Sequence, residues 1–151
     1  MGIESAASNP FVILFAEDDE GHATLVQRNL RRSGITNPVV HAKDGQAALD
    51  YVRNVRFREA RPEEHLLVVL DINMPRVDGI EVLRQLKADP VTAGIPVIML
   101  TTTDNPHEIE RCYQLGCSVY VTKPVGYEAF VEAVKRLGLF LQIVEVPKRQ
   151  N

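Results

Sequence analysis

The 151-residue sequence contains no tryptophan, only two cysteines and no long apolar run. A membrane span needs about 18 consecutive apolar residues, and the N-terminal MGIESAASNP lacks the basic start and apolar stretch of a signal peptide. These absences predict a protein that stays in the cytoplasm. Cys112 and Cys117 have no second pair to complete a zinc site, so we expect reduced, structural thiols.

An excess of positive charge is also missing. The formal net charge of −3 disfavours a nucleic-acid binder that depends on bulk electrostatics. The four histidines form no i,i+4 pair and no HExxH motif, which argues against a histidine metal site. The four arginines at positions 53, 56, 58 and 61 are accompanied by Glu59, Glu63 and Glu64, so we interpret this segment as a solvated loop, with an anion site as the alternative.

Five short apolar runs alternate with segments of helical periodicity. The runs occupy residues 11–16, 38–42, 65–70, 95–100 and 118–122. Helix starts are indicated by Asp44, by Asp78, and by Asn105 followed by Pro106. The length fits one domain. Strict alternation of buried strands with helices predicts an α/β fold with a doubly wound, five-stranded parallel sheet that carries helices on both faces.

Polar residues follow four of the five predicted strands. Glu17 and Asp18 follow the first strand, Asp71 the third, Thr101 the fourth and Lys123 the fifth. Ligands of open parallel sheets bind at the carboxyl ends of the strands. We therefore expect these side chains to meet at one edge of the sheet.

The chemistry of this set favours phosphoryl transfer. Clustered carboxylates of Glu17, Asp18 and Asp71 would repel each other unless a cation or a proton binds, and an oxygen-only ligand set selects Mg²⁺, or else Mn²⁺ or Ca²⁺. Lys123 and Thr101 can contact the oxygens of a phosphoryl group, and Asp71 is then the candidate nucleophile. Each residue alone would be an ordinary turn, strand or loop residue, but together, in this order, they support the hypothesis.

Four segments carry a resemblance to a known family: ILFAEDDE (13–20), VVLDINMPRVDG (68–79), PVIMLTT (96–102) and YVTKP (120–124). Over about residues 10–138 the chain resembles the CheY-like receiver domains of two-component response regulators. The resemblance implies a flavodoxin-like fold, a flexible N-terminus at residues 1–9 and a C-terminal tail at residues 139–151. It also implies a phosphoacceptor that receives its phosphoryl group from a histidine kinase and has no separate substrate.

The resemblance implies a role for each site residue. Glu17, Asp18 and Asp71 would hold Mg²⁺ together with the backbone carbonyl of Asn73. Asp19, which follows the acidic pair, is interpreted as lying outside the metal site.

Asp71 would be the phosphoacceptor, and Thr101 and Lys123 would sense the phosphoryl group. Tyr120 falls at the position of the family's aromatic switch residue. Pro124 is expected to follow a cis peptide.

More narrowly, the chain resembles the single-domain regulators that partner phytochrome-type histidine kinases. The features are an arginine-containing loop at about 53–65, the TTTDN stretch, and the tail VKRLGLFLQIVEVP. The last helix is predicted at about 126–137 with its end at Gly138. The dozen or so residues after it are too few for a helix-turn-helix, so we expect output through protein contacts or onward relay, with the tail as a homodimerisation arm.

A haloacid-dehalogenase-like, Mg²⁺-dependent phosphatase is the alternative function. Such an enzyme also uses a nucleophilic Asp after a strand, but it would need a second Asp two residues further on to protonate the leaving group. That position is Asn73, which cannot act as an acid, and no cap domain is evident.

Overall fold

The computed structural model describes residues 11–57, 65–123 and 127–143. Strands and helices alternate strictly along the chain: β1 (Phe11–Ala16), α1 (Glu20–Arg32), β2 (Val39–Ala42), α2 (Gly45–Phe57), β3 (His65–Leu70), α3 (Gly79–Ala88), β4 (Val97–Thr101), α4 (Pro106–Leu115), β5 (Val119–Thr122) and α5 (Tyr127–Ile143). The five strands lie where the apolar runs predicted them.

The strands form one parallel sheet in the order β2-β1-β3-β4-β5. Alternate residues of β1 pack into two separate cores. Leu14 and Ala16 belong to a cluster with residues of α2 and α3, whereas Ile13 and Phe15 belong to a cluster with residues of α1 and α5. The fold is therefore doubly wound, as predicted, and the strand order reverses between β1 and β3, which is where such sheets bind ligands.

Side-chain caps fix where the helices begin. The carboxylate of Asp78 accepts a 2.8 Å hydrogen bond from the Glu81 amide at the start of α3. Asn105 caps α4 in the same way, with Pro106 as the first helical residue. Asp44 accepts a 2.8 Å bond from the Ala47 amide in the first turn of α2. All three start signals read from the sequence are confirmed.

Two predicted helix boundaries are wrong. Helix α2 continues to Phe57, so the segment predicted as a loop from residue 53 begins as helix, since Pro62 is the first strong helix breaker in it. Helix α5 continues through Gly138 to Ile143. A single glycine costs a helix only about 1 kcal/mol relative to alanine, and the leucines on both sides of Gly138 are good helix formers.

Several predictions fall outside the described residues: the N-terminal segment 1–9, the remainder of the arginine segment at 58–64, the peptide before Pro124, and residues 144–151.

Within the described ranges, no helix is long and apolar enough to cross a membrane. Cys112 and Cys117 are buried free thiols, in agreement with the expectation of reduced, structural cysteines. Burial raises the pKa of Cys112 to about 11 and that of Cys117 to about 12, which disfavours the reactive thiolate.

Candidate functional site

Three carboxylates meet at the carboxyl ends of β1 and β3. Oxygen atoms of Glu17, Asp18 and Asp71 all lie within 4.8 Å of one another. Glu17 and Asp71 are buried, at 1% and 6% exposure, whereas Asp18 is exposed to solvent. The edge of the sheet therefore concentrates negative charge in a partly dry environment, as the strand ends predicted.

Lys123 supplies a buried positive charge to this cluster. Its Nζ atom lies 2.6 Å from Oε1 of Glu17 and 3.4 Å from Oδ2 of Asp71, and its side chain is 2% exposed. Burial by itself would lower the pKa of Lys123, but the hydrogen bond to Glu17 and the charge of Asp71 outweigh it and raise that pKa. Lys123 is therefore held in its charged form.

Glu17 is tied to its surroundings at every polar group. Besides the bond from Lys123, its Oε2 atom accepts a 3.1 Å hydrogen bond from the Asp19 amide. Its backbone N–H donates to the carbonyl of Ala42, and its own carbonyl oxygen lies 2.6 Å from Nε2 of His41. Burial and the charge of Asp71 nevertheless raise the pKa of the Glu17 carboxyl, because one ammonium cannot neutralise the whole cluster.

The loop after β3 is packed tightly around Asp71. The amide of Asp71 donates to the carbonyl of Ala16, and Oδ1 of Asp71 faces the amide of Asn73 at 3.3 Å. The loop returns so closely that a Cβ atom at Gly79 would lie 2.1 Å from the carbonyl oxygen of Asp71. Glycine is therefore required at position 79 for α3 to begin beside the candidate phosphoacceptor.

Thr101 and Tyr120 are connected through Thr103. Thr101 is fully buried at the end of β4, and its Oγ1 atom lies 3.4 Å from the amide of Thr103. The hydroxyl of Tyr120 donates a 2.6 Å hydrogen bond to the carbonyl of Thr103, and burial raises the pKa of Tyr120 to about 12. The Asn73 side chain donates to Oγ1 of Thr103 at 3.2 Å, so the loops after β3 and β4 are bonded to each other.

The structure thus brings Glu17, Asp18, Asp71 and Lys123 into one cluster, as the sequence predicted. Asp19 instead caps α1 by accepting a 2.9 Å bond from the His22 amide.

Sequence reasoning missed His41 and the bridging part of Thr103. In both contacts the acceptor is a backbone carbonyl, of Glu17 for His41 and of Thr103 for Tyr120, so residue type alone gave no signal for either contact.

The donor set suits a divalent cation. Three carboxylates face one lysine, which leaves about two negative charges uncompensated if all three carboxylates ionise. Oxygen ligands without sulfur or imidazole are those of hard cations such as Mg²⁺ and Mn²⁺. The residues present therefore fit a site for such an ion at this edge of the sheet.

A doubly wound fold with an acidic pocket at its switch point is typical of α/β domains that bind a metal ion or accept a phosphoryl group. Comparison with known proteins identifies the family within this class. The family model described as "Response regulator receiver domain" matches residues 13–135. The chain therefore belongs to the response regulator receiver family.

Three relatives illustrate the match. Response regulator Rcp1 of Synechocystis sp. is 34% identical over 139 residues, which cover 91% of this chain and 94% of Rcp1. A receiver domain from Rhodospirillum rubrum is 43% identical, with a TM-score of 0.70 and coverage of 93% of this chain and 99% of that one. The phosphorylated cyanobacterial phytochrome response regulator RcpA is 32% identical, with a TM-score of 0.70 and coverage of 91% and 98%.

Family membership establishes the general function. Receiver domains are regulatory phosphoacceptors of two-component systems, partnered with histidine kinases, and they bind a divalent metal at the acidic pocket. Rcp1 has been solved in a Mn²⁺-bound form, and that structure is 31% identical to this chain, with a TM-score of 0.70 and coverage of 92% of this chain and 100% of that one. The comparisons give no support to the haloacid-dehalogenase-like alternative.

Proposed function

We propose that Asp71 accepts a phosphoryl group from a histidine kinase in the presence of Mg²⁺. The observation that carries this proposal is that carboxylate oxygens of Asp71 and the exposed Asp18 lie within 4.8 Å of each other, and that the buried ammonium of Lys123 lies 3.4 Å from Asp71. In the transfer, a carboxylate oxygen of Asp71 forms a bond to phosphorus as the bond from phosphorus to the kinase histidine breaks. Asp71 is then an acyl phosphate, and the histidine leaves in its unphosphorylated form.

The metal ligands in this proposal are the carboxylates of Glu17, Asp18 and Asp71 and the backbone carbonyl of Asn73. A bound Mg²⁺ would neutralise charge on the phosphoryl oxygens during transfer. Lys123 contributes the second positive charge, and its burial excludes competing water from that side of the pocket.

Thr101 and Tyr120 form the proposed switch. The Thr101 hydroxyl, at the end of β4, can donate to a phosphoryl oxygen. Movement of Thr101 would displace the amide of Thr103, which lies 3.4 Å from Oγ1 of Thr101. Because the Tyr120 hydroxyl is bonded to the carbonyl of Thr103, displacement of that loop changes the position of the ring. Two conformations that differ by a few kcal/mol suffice for such a switch.

The partner that we propose is a phytochrome-type histidine kinase, because Rcp1 and RcpA are among the relatives and RcpA is described as a phytochrome response regulator. We further propose a homodimer that uses residues 139–151 as its arm, with no nucleic acid or membrane partner and no separate substrate. The cytoplasm is the compartment that we infer from the sequence.

The test is phosphorylation by acetyl phosphate and Mg²⁺, followed by mass spectrometry. The parent chain should gain one phosphoryl group, labile to base, and Asp71→Asn should gain none. Asp104→Asn is the matched control, because Asp104 is an exposed carboxylate on the neighbouring loop after β4 that lies outside the cluster. A modification that maps to Asp18 or to a histidine, or that persists in Asp71→Asn, would overturn the assignment.

A further inference from the structure

His41 makes a contact at the acidic site that no sequence motif indicates. It lies on β2, half-buried, and its Nε2 atom is 2.6 Å from the carbonyl oxygen of Glu17. In the sheet register His41 is paired with Phe15, and the two rings lie 6.2 Å apart. The imidazole therefore lies on the same face of the sheet as Phe15. From there it reaches the carbonyl of Glu17, two residues further along the chain.

The path of the backbone explains why the carbonyl of Glu17 is bonded to the side chain of His41 and not to a backbone amide of β2. The ladder between β1 and β2 ends with the bond from the Glu17 amide to the carbonyl of Ala42. Beyond this point β1 turns away towards α1, and His41 supplies the donor to the carbonyl of Glu17. A carbonyl oxygen can only accept, so Nε2 of His41 must carry the proton.

The Glu17 carbonyl belongs to the peptide unit that joins Glu17 to Asp18, the two adjacent acids of the cluster. A hydrogen bond to this oxygen fixes the plane of that peptide, and with it the directions in which the Glu17 and Asp18 side chains leave the backbone. Partners one step removed from a ligand orient it and strengthen binding in many metal sites.

We propose that His41 is a positioning residue for the divalent cation: its Nε2–H group fixes the Glu17–Asp18 peptide so that both carboxylates face Asp71. This inference rests on the metal site of the proposed function. His41 is not itself a ligand, and it acts through the orientation of the backbone.

The experiment titrates the full chain with Mn²⁺ alone and follows binding by the relaxation of water protons. His41→Phe keeps a planar ring beside Phe15 but removes the donor, whereas His41→Gln retains an N–H group close to the position of Nε2. We expect His41→Phe to weaken Mn²⁺ binding by about threefold to tenfold and His41→Gln to restore it to within about twofold of the parent. His107→Phe, the same change at an exposed site on α4, should bind as the parent does.

Asp18→Asn in the same series distinguishes an error in the metal site from an error in the positioning role of His41. If Asp18→Asn binds Mn²⁺ like the parent, the metal site itself is misassigned. If Asp18→Asn weakens binding but His41→Phe does not, or if His41→Gln is as weak as His41→Phe, the positioning function of His41 is wrong and the metal site stands.

A second measurement on the unaltered chain does not depend on how the variants fold. Long-range ¹⁵N–¹H correlation spectra of the metal-free protein distinguish the two imidazole tautomers. The proposal requires that His41 carry a proton on Nε2. A spectrum that shows His41 protonated on Nδ1 alone would overturn it.

Discussion

The ammonium group of Lys123 donates a 2.6 Å hydrogen bond to Glu17, 106 residues away in the sequence, and lies further, at 3.4 Å, from Asp71. Lys123 is thus bound more closely to the first acid of the cluster than to the candidate phosphoacceptor. A phosphoryl group on Asp71 would add negative charge at the more distant of these two partners. The charge balance of the pocket therefore favours a shift of Lys123 from Glu17 towards Asp71 on phosphorylation.

Removal of the lysine should destabilise the metal-free protein in a pH-dependent way. Lys123→Met keeps most of the buried volume but leaves Glu17 and Asp71 as unpaired, buried carboxylates. Loss of one partner of a buried pair costs about 3–5 kcal/mol, so we expect the free energy of unfolding at neutral pH to fall by roughly 3 kcal/mol. Urea denaturation monitored by circular dichroism measures this change.

The sign of the pH dependence follows from Glu17, whose pKa is already raised above its ordinary value of 4.5 by burial and the charge of Asp71. A carboxyl with a raised pKa favours the folded state when protonated, so its contribution is full below pH 4.5 and is lost as the pH rises through the folded-state pKa. The bond from Lys123 lowers the Glu17 pKa, so this pKa should rise further in Lys123→Met. The loss of stability caused by Lys123→Met should therefore shrink as the pH is lowered from about 8 to about 5. An equal deficit across that range would contradict a role for Lys123 as counter-ion.

The exposed acid should contribute to metal binding at a cost in stability. Asp18→Asn removes one of three mutually repelling carboxylates, so the metal-free variant should be more stable than the parent by about 0.5 kcal/mol. The same variant should lose most of the increase in melting temperature that Mg²⁺ gives the parent. Asp104→Asn should keep the full Mg²⁺ effect, and an undiminished effect in Asp18→Asn would exclude Asp18 as a ligand.

The site was largely predictable because its residues follow directly from the strand ends. Glu17, Asp71 and Lys123 each come immediately after a strand, and parallel pairing brings those ends together. His41 and the bond from Tyr120 to Thr103 were not predictable, since each depends on the three-dimensional path of a carbonyl. The end of α5 was mispredicted because a glycine stop signal is weak when helix formers lie on both sides of it.

The Thr101 hydroxyl should be needed to transmit phosphorylation to the loop after β4. After phosphorylation of the parent, we expect amide NMR shifts at Thr103 and at Tyr120, because the hydrogen bonds at Thr103 join Thr101 to Tyr120. Thr101→Ala should be phosphorylated but should show these shifts at less than about half their size. Thr101→Ser, which retains the hydroxyl, is the control. Full shifts in Thr101→Ala would assign the switch to other groups.

The exposed side chain of Thr102 should prolong the phosphorylated state. It follows Thr101 directly and is exposed to solvent after the end of β4. We expect its bulk to obstruct the approach of water to Asp71. We expect Thr102→Gly to lose its phosphoryl group about threefold faster than the parent, a change of roughly 0.7 kcal/mol in the barrier. Thr102→Val, which keeps the same bulk without the hydroxyl, should decay at the parental rate. Equal decay of Thr102→Gly and the parent would remove steric shielding from the explanation.

The extension of α5 to Ile143 changes how the proposed homodimer should be tested. The residues after Gly138 begin with LFLQI, which continues the helix as an apolar stretch, and VEVP follows in the sequence. Five residues lengthen a helix by about 7.5 Å, so truncation after Gly138 removes more than one full turn of α5, whereas truncation after Ile143 leaves the helix intact.

Burial of three or four large apolar side chains per chain contributes roughly 1.5–3 kcal/mol each, before the loss of translational freedom is subtracted. Truncation after Gly138 should therefore weaken dimerisation at least about tenfold in a dilution series followed by light scattering. Truncation after Ile143 should have a smaller effect if the helical part of the arm makes the contact. The melting temperature of each truncated chain, measured at a dilution at which the parent is monomeric, controls for damage to the domain itself. If the chain that ends at Gly138 dimerises at the same concentrations as the full chain, the arm does not join the subunits.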